Sequence, residues 1–322
     1  MAILGLRGGT DGLPNMIFTA TETWAPNKTI QAYVYCIGAG GSGAQGGGNA
    51  DAGYSGGGAG GCAVSLLKLT AGVTYTATIG AGGAYVGGTS NSAGNAGGNT
   101  TFNGSDISIM TGSGGSAGAT TGGASASGAA GGSASGGNLM NNTGGASIAS
   151  GATRQVSGGG AVGLWDTGRQ GTTVKGGGDG WADGGNLSGP PIGAYTTDLR
   201  DGGTDTFVAG APFPEIYSVT SSNLRSRTDT VCDVDVSFQT AGVQPYTSKG
   251  YDVSFSGTLK LYPAPPFSGG NGYCTNDNDY IYAGSASLGG GGGAGFNFLS
   301  TGYGASGKGG MGAVLIFPIS MG

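Results

Sequence analysis

Apolar side chains recur at every second position along Thr29–Ile37. Ile30, Ala32, Val34 and Cys36 fall on one face of a strand, and Tyr33, Tyr35 and Ile37 on the other. Both faces are largely apolar, so this strand is expected to be covered on both sides. Met16–Ala20 reads as a short strand before it, and Trp24-Ala25-Pro26-Asn27 breaks the chain with a proline turn. Downstream, Cys62–Leu69 and Val73–Ile79 flank a Thr70-Ala71-Gly72 turn, a pattern that predicts a hairpin. A further pair is expected at Asn99–Phe102 and Asp106–Met110. The apolar run Gly312–Phe317 signals a buried strand that needs a partner, and 29–37 is the obvious one. These elements predict an all-β fold, a β-sandwich closed by its own terminus.

Between the strands the alternation dissolves into glycine. Glycine occupies 78 of the 322 positions, against a usual level of about 7 %. Each glycine costs a helix interior about 1 kcal/mol relative to alanine, so long helices and coiled coils are excluded. Collagen is excluded too, because the spacing slips, as in Gly112, Gly114, Gly115, Gly118. The chain is 37 % hydrophobic and only 9 % charged, which argues against solvated disorder and against a floppy linker. Residues 111–195 are almost wholly Gly, Ala, Ser, Thr and Asn, side chains too small to build an ordinary core. Such a segment orders only if bare backbones pack together, as extended strands or as left-handed helices of three residues per turn that hydrogen-bond laterally. Packed polyglycine-II-like runs are therefore expected.

Glycine density also gives a domain map. Residues 196–268 hold six glycines in 73 positions, whereas the other 249 residues hold 72. The glycine-poor piece carries the strand patterns Thr230–Phe238, Tyr251–Phe255 and Thr258–Tyr262, and is expected to fold as an inserted β subdomain. The expected organisation is an N-terminal attachment segment (1–12), a discontinuous glycine-rich sandwich (13–110 with 269–322), the low-complexity segment (111–195) and the insert (196–268).

Candidate chemistry is sparse. No histidine is present, which removes the commonest general base, the commonest zinc ligand and every Ser-His or Cys-His nucleophile. Two glutamates occur, Glu22 and Glu215, and many aspartates sit in turns such as Asp11-Gly12. A net charge of −5, with 12 scattered Lys and Arg, leaves no basic patch for nucleic acid. Cys36, Cys62, Cys232 and Cys274 lack metal-knuckle spacing and read as small buried hydrophobes. No secretory signal or 18-residue apolar stretch is evident, so a soluble, non-exported protein is expected. Gly38-Ala39-Gly40-Gly41-Ser42-Gly43 satisfies a dinucleotide-binding pattern, but without a following helix, and such matches arise by chance at this glycine content. Gly302–Gly307 with Lys308 nearly spells a phosphate loop, yet Gly309 stands where the magnesium hydroxyl belongs. Asn276-Asp277-Asn278-Asp279 lacks the glycine and bidentate glutamate of a calcium loop and reads as a solvated turn. No catalytic residue, metal or cofactor is assigned.

Trp24-Ala25-Pro26-Asn27 followed by Tyr33–Gly43, then Gly56–Ala63, Leu69–Gly83, and the closing Gly289–Gly295 with Gly309–Ile316 resemble the glycine-rich domain of bacteriophage tail fibres and receptor-binding adhesins. The match covers about 20–110 and 285–317, and 196–268 departs from it. The resemblance implies a non-enzymatic virion tail component, made in the host cytoplasm. It would dock on other tail proteins through its N-terminus and touch a host surface glycan or outer-membrane protein. Fibres of this kind commonly trimerise, which implies a homotrimer. A purely structural virion spacer is the alternative, and a depolymerase would need acids such as Asp179 and Asp183 to converge.

Aromatics mark where recognition is expected. Sugar rings stack their C–H faces on Trp and Tyr while hydroxyls bond Asn, Asp and Ser. Trp165 and Trp181 sit in loops rich in Gly and Asp, and Tyr195, Tyr246, Tyr251 and Tyr262 border or lie in the insert. These six are the receptor-binding candidates; each could equally plug a small core or a subunit contact.

Overall fold

The computed structural model describes residues 16–47, 53–121, 126–149, 158–164, 166–171, 217–220, 251–252, 258–261, 267, 269–270, 273–275, 281–283, 285–286, 288–297 and 304–321. All regular structure among them is strand.

Ten strands make the sandwich. They are β1 (Met16–Phe18), β2 (Glu22–Trp24), β3 (Ile30–Ile37), β4 (Cys62–Leu69), β5 (Tyr75–Thr78), β6 (Thr100–Gly104), β7 (Ile107–Gly112), β8 (Ala134–Ser135), β9 (Met140–Asn142) and β10 (Ala313–Met321). One sheet runs β1-β10-β3-β4-β9 and the other β8-β7-β6-β5-β2, antiparallel throughout. Ile30, Ala32, Val34 and Cys36 face the space between the sheets. They meet Phe18, Leu69, Tyr75, Phe102, Met110, Val314 and Ile316 there, and each fully buried large side chain contributes roughly 1.5–3 kcal/mol. Tyr75 stacks on Phe102 with centroids 5.7 Å apart, and Trp24 leans on Tyr75 at 6.0 Å. The opposite face of β3, with Tyr35 and Ile37, packs with Cys62, Val64 and Leu315 beneath Val162, Leu164, Phe267 and Leu288. The face of Ile30, Ala32, Val34 and Cys36 is buried throughout. On the other face Tyr35 and Ile37 are covered but Gln31 and Tyr33 stay exposed, so the two-sided covering expected from the alternation holds only for the second half of β3. β10 is the partner of β3, with Leu315 opposite Tyr35. β10 also lies between β1 and β3 and so closes its sheet.

The predicted hairpin of 62–69 with 73–79 does not form. β4 pairs with β3 and β9 in one sheet, and β5 with β2 and β6 in the other. Leu69 and Tyr75 meet across the core, not along a ladder. Cys36 and Cys62 are buried free thiols, as expected, and lie on opposite faces of the first sheet. Cys232, and the insert strand expected at 230–238, lie outside the described residues. Within the insert's range, Tyr217–Thr220 pairs with Thr258–Leu261.

Every sandwich strand but β1 and β2 leads into, or out of, a glycine run or a turn between such strands. β3 continues as 38–47, and 53–61 returns into β4. β5 leads to 80–86, with 92–98 returning into β6; β7 leads to 113–121, with 126–133 returning into β8. β9 leads to 143–149, and 304–312 returns into β10. The run 38–45 shows how they associate. Gly38, Gly41 and Ala44 donate their N–H groups to the carbonyls of Gly61, Gly58 and Ser55 at 2.8, 2.9 and 3.0 Å. Ala39, Ser42 and Gln45 donate to Gly98, Asn95 and Ser92, and Gly40 and Gly43 to Gly310 and Gly307. In the other sense, the carbonyls of Ala39 and Ser42 accept from Gly115 and Gly118. Those of Gly41 and Ala44 accept from Gly292 and Gly295, and that of Gly40 from Gly83. Every third residue addresses the same neighbour, and the run touches six. This is the three-residue periodicity of polyglycine II, with every hydrogen bond lateral.

Glycine is required here by proximity. A Cβ built on Gly40, Gly43, Gly57 or Gly291 would overlap the carbonyl oxygen of Gly290, Gly293, Gly41 or Gly57. Where serine replaces glycine inside the bundle, its hydroxyl substitutes for a carbonyl acceptor. Ser42 Oγ accepts from the Asn95 N–H at 2.8 Å, Ser55 Oγ from Ala119 at 2.8 Å and Ser147 Oγ from Ala129 at 2.7 Å. Runs 113–121, 126–133, 143–147 and 158–163 join the same bundle, through bonds such as Ser116 to Ala130, Gly145 to Ala161 and Gly160 to Gly57.

Candidate functional site

The bundle has two ends. One continues into the sandwich. At the other lie residues 45–47, 53–54, 120–121, 295–297 and the turn Gly87–Ser92. Short ladders tie these far ends together: 45–47 pairs with 295–297 and that with 273–275, while 53–54 pairs with 120–121.

Of the six predicted contact residues, Trp165, Trp181, Tyr195, Tyr246 and Tyr262 lie outside the described residues. Tyr251 is described through its backbone, in the two-residue strand that pairs with Ile281–Tyr282. That strand belongs to the far-end sheet in which 281–282, 304–305 and 87–88 are also aligned.

Sequence reasoning passed over a second group of residues at this end. The turn Gly87–Ser92 joins runs 80–86 and 92–98, and side chains from two other runs hold it. Gln45 donates through Nε2 to the Gly88 carbonyl at 2.7 Å, and the Gln45 and Ser92 main chains exchange two bonds of 2.9 Å. The Tyr54 hydroxyl donates to Asn91 Oδ1 at 2.9 Å. Tyr54 is fully buried, and its ring fills the space a side chain on Gly46 would take. Gly87 and Gly88 are laddered to Ala305 and Gly304. Gly88 adopts a φ of 153°, which an L side chain rarely tolerates. Thr89 and Ser90 stand exposed at the tip.

Polar cost concentrates here. Gln45 is fully buried, and its Oε1 has no hydrogen-bond partner; Thr120 Oγ1, on the residue opposite Tyr54, is also buried without one. A buried acceptor left unmatched costs about 1–3 kcal/mol. Lys308 is buried within the bundle, with its ammonium 5.4 Å from the centre of the Tyr85 ring. Burial pushes the Tyr54 phenol up to about 12, with the Asn91 bond pulling the other way. Among the described residues no three His, Cys, Asp or Glu gather as metal ligands. The arrangement offers hydroxyls, carboxamides and main-chain groups, and no acid–base pair.

The signal that could have found this site was interruption. Gln45 and Tyr54 are bulky residues set within runs otherwise built of Gly, Ala and Ser, and a large side chain there marks where the close-packed period gives way.

An antiparallel sandwich extended by a laterally bonded glycine bundle defines an all-β, glycine-rich architecture. The chain matches the family model of the glycine-rich domain over residues 18–317 and belongs to that family. No curated protein matches it.

Proposed function

We propose that the chain is an attachment protein of a bacteriophage tail, a tail fibre or tail-tip adhesin that binds a receptor on the host surface without enzymatic activity. One observation supports this reading above others: at the bundle end opposite the sandwich, the Gly87–Ser92 turn between two glycine runs is held by side chains of neighbouring runs and by the short ladders there. A platform whose interior is hydrogen-bonded main chain holds its loops in fixed register, and recognition generally sits on loops carried by a rigid scaffold. In this proposal Trp165, Trp181, Tyr195, Tyr246, Tyr251 and Tyr262 contact a host glycan or outer-membrane protein, residues 1–12 dock on other tail proteins, and the assembly is a homotrimer located in the virion.

The test is saturable binding of fluorescently labelled protein to intact cells across a panel of bacterial strains, alongside its Trp165→Ala/Trp181→Ala variant. Binding to particular strains that weakens in the variant supports attachment by these residues. Absence of saturable binding to every strain, with the protein located in the particle by immunoelectron microscopy, favours a purely structural spacer. Light scattering on the purified protein decides the trimer.

A further inference from the structure

We propose that the Gly87–Ser92 loop binds an uncharged, polyhydroxylated ligand, a neutral glycan; this rests on the attachment reading above. The loop is fixed before any ligand arrives. Gln45 holds Gly88 and Ser92, Tyr54 holds Asn91, and the Gly87–Gly88 ladder fixes its start. Its ordering entropy is therefore lost on folding and not on binding, which favours affinity from few contacts.

What the fixed loop presents is two exposed hydroxyls, Thr89 and Ser90, each able to donate and to accept. The described runs around it, 38–47, 53–61, 80–98, 112–121, 289–297 and 304–312, carry a single charged side chain, Lys308, and the far-end sheet that takes in Gly87–Gly88 adds one acid, Asp252, at its opposite edge. The Lys308 side chain is buried, with its ammonium against Tyr85. An anionic or cationic ligand meets no exposed counter-charge on these runs, whereas the alternating donors and acceptors of a polyol find their match. The orphaned Gln45 Oε1 is an independent sign that local cost is tolerated in order to hold this loop in place. A fully buried carboxamide with half its bonding capacity unmet has been kept directly under the loop, where an apolar residue would avoid the cost. Tolerated local cost of this kind clusters at functional positions.

The experiment immobilises neutral polysaccharides (dextran, mannan, galactan) and acidic ones (alginate, polysialic acid). It measures binding of the full chain and of its Thr89→Ala/Ser90→Ala variant at low and high salt, with adsorption to intact bacteria in parallel. The expected result is binding to a neutral polysaccharide that withstands added salt and weakens about tenfold or more in the variant. Binding confined to acidic polysaccharides, or neutral binding that the variant retains in full, overturns the inference. Adsorption to cells without binding to any neutral polysaccharide also overturns it while leaving the attachment reading intact. Absence of both defeats the two together.

Discussion

The Tyr54 hydroxyl donates to the Asn91 carboxamide oxygen at 2.9 Å, joining residues 37 positions apart in the chain. The phenol reaches the loop past Gly46, whose missing side chain leaves room for the ring.

Replacing Tyr54 by Phe keeps the ring and deletes this bond. A neutral hydrogen bond contributes about 0.5–1.5 kcal/mol net, so Tyr54→Phe is expected to destabilise by roughly 1 kcal/mol. Amide hydrogen exchange should quicken at residues 88–92 and stay unchanged in the β3–β4 ladder. Equal acceleration in both places would refute a local role for the bond.

Alkali should unfold the protein ahead of any acid transition traceable to the same groups. Burial raises the Cys36 thiol from 9.0 to about 12, and the Tyr35 and Tyr54 phenols from 10.0 to about 12; Cys62 is raised as well, again chiefly by burial. Each is an acid that holds its proton longer when folded. Its stability contribution is therefore complete below the unfolded value and is lost as pH climbs through the interval toward 12. Urea midpoints measured upward from neutrality should fall progressively above about pH 9. Midpoints that stay flat to pH 11 would contradict the burial of these groups.

Two kinds of glycine are distinguishable by one substitution each. Gly43→Ala forces a methyl into the Gly293 carbonyl, main chain that has nowhere to yield. Overpacking of this kind costs about 1–3 kcal/mol and occasionally more. Gly72 has open space around it and a φ of 76°, so Gly72→Ala should cost only the left-handed penalty of about 1–2 kcal/mol. Thermal unfolding of both variants should rank Gly43→Ala as the more damaged, with lost soluble expression as its extreme form.

The three-residue period makes insertion length decisive. One extra glycine between Gly115 and Ser116 would turn the rest of that run by a third of a turn. The N–H groups of Ser116 and Gly118 would then be carried away from Ala130 and Ser42. A three-residue insertion restores the facing and shifts the run by about 9 Å along its axis. The single insertion is expected to yield less soluble protein than the triple one, compared by expression and circular dichroism.

How far these relationships were legible in the sequence depended on which force set them. Alternation gave β3 its fully buried face and gave β10 its partner, because burial at positions such as Val34 and Ile316 writes itself into side-chain type. It did not tell the exposed Tyr33 from the covered Tyr35 on the other face. The glycine content likewise announced packed backbones. Alternation could not say that β4 and β5 belong to opposite sheets, since Leu69 and Tyr75 show the same one-sided burial whether neighbours pair along a ladder or face across a core. At the far end, the search for exposed aromatics led to residues of which only the Tyr251 backbone is described. Gln45 and Asn91 were missed because their importance lies in reaching other runs, a relation that exists only once the bundle fixes which runs are neighbours.

The bundle interior holds itself together with amide groups and scarcely any hydrocarbon. Unfolding it would wet peptide groups, which lower the heat capacity, more than apolar surface, which raises it, so the increment should fall below the usual value of about 12–15 cal/mol/K per residue. A flatter stability curve follows, with resistance to chilling that ordinary oily interiors lack.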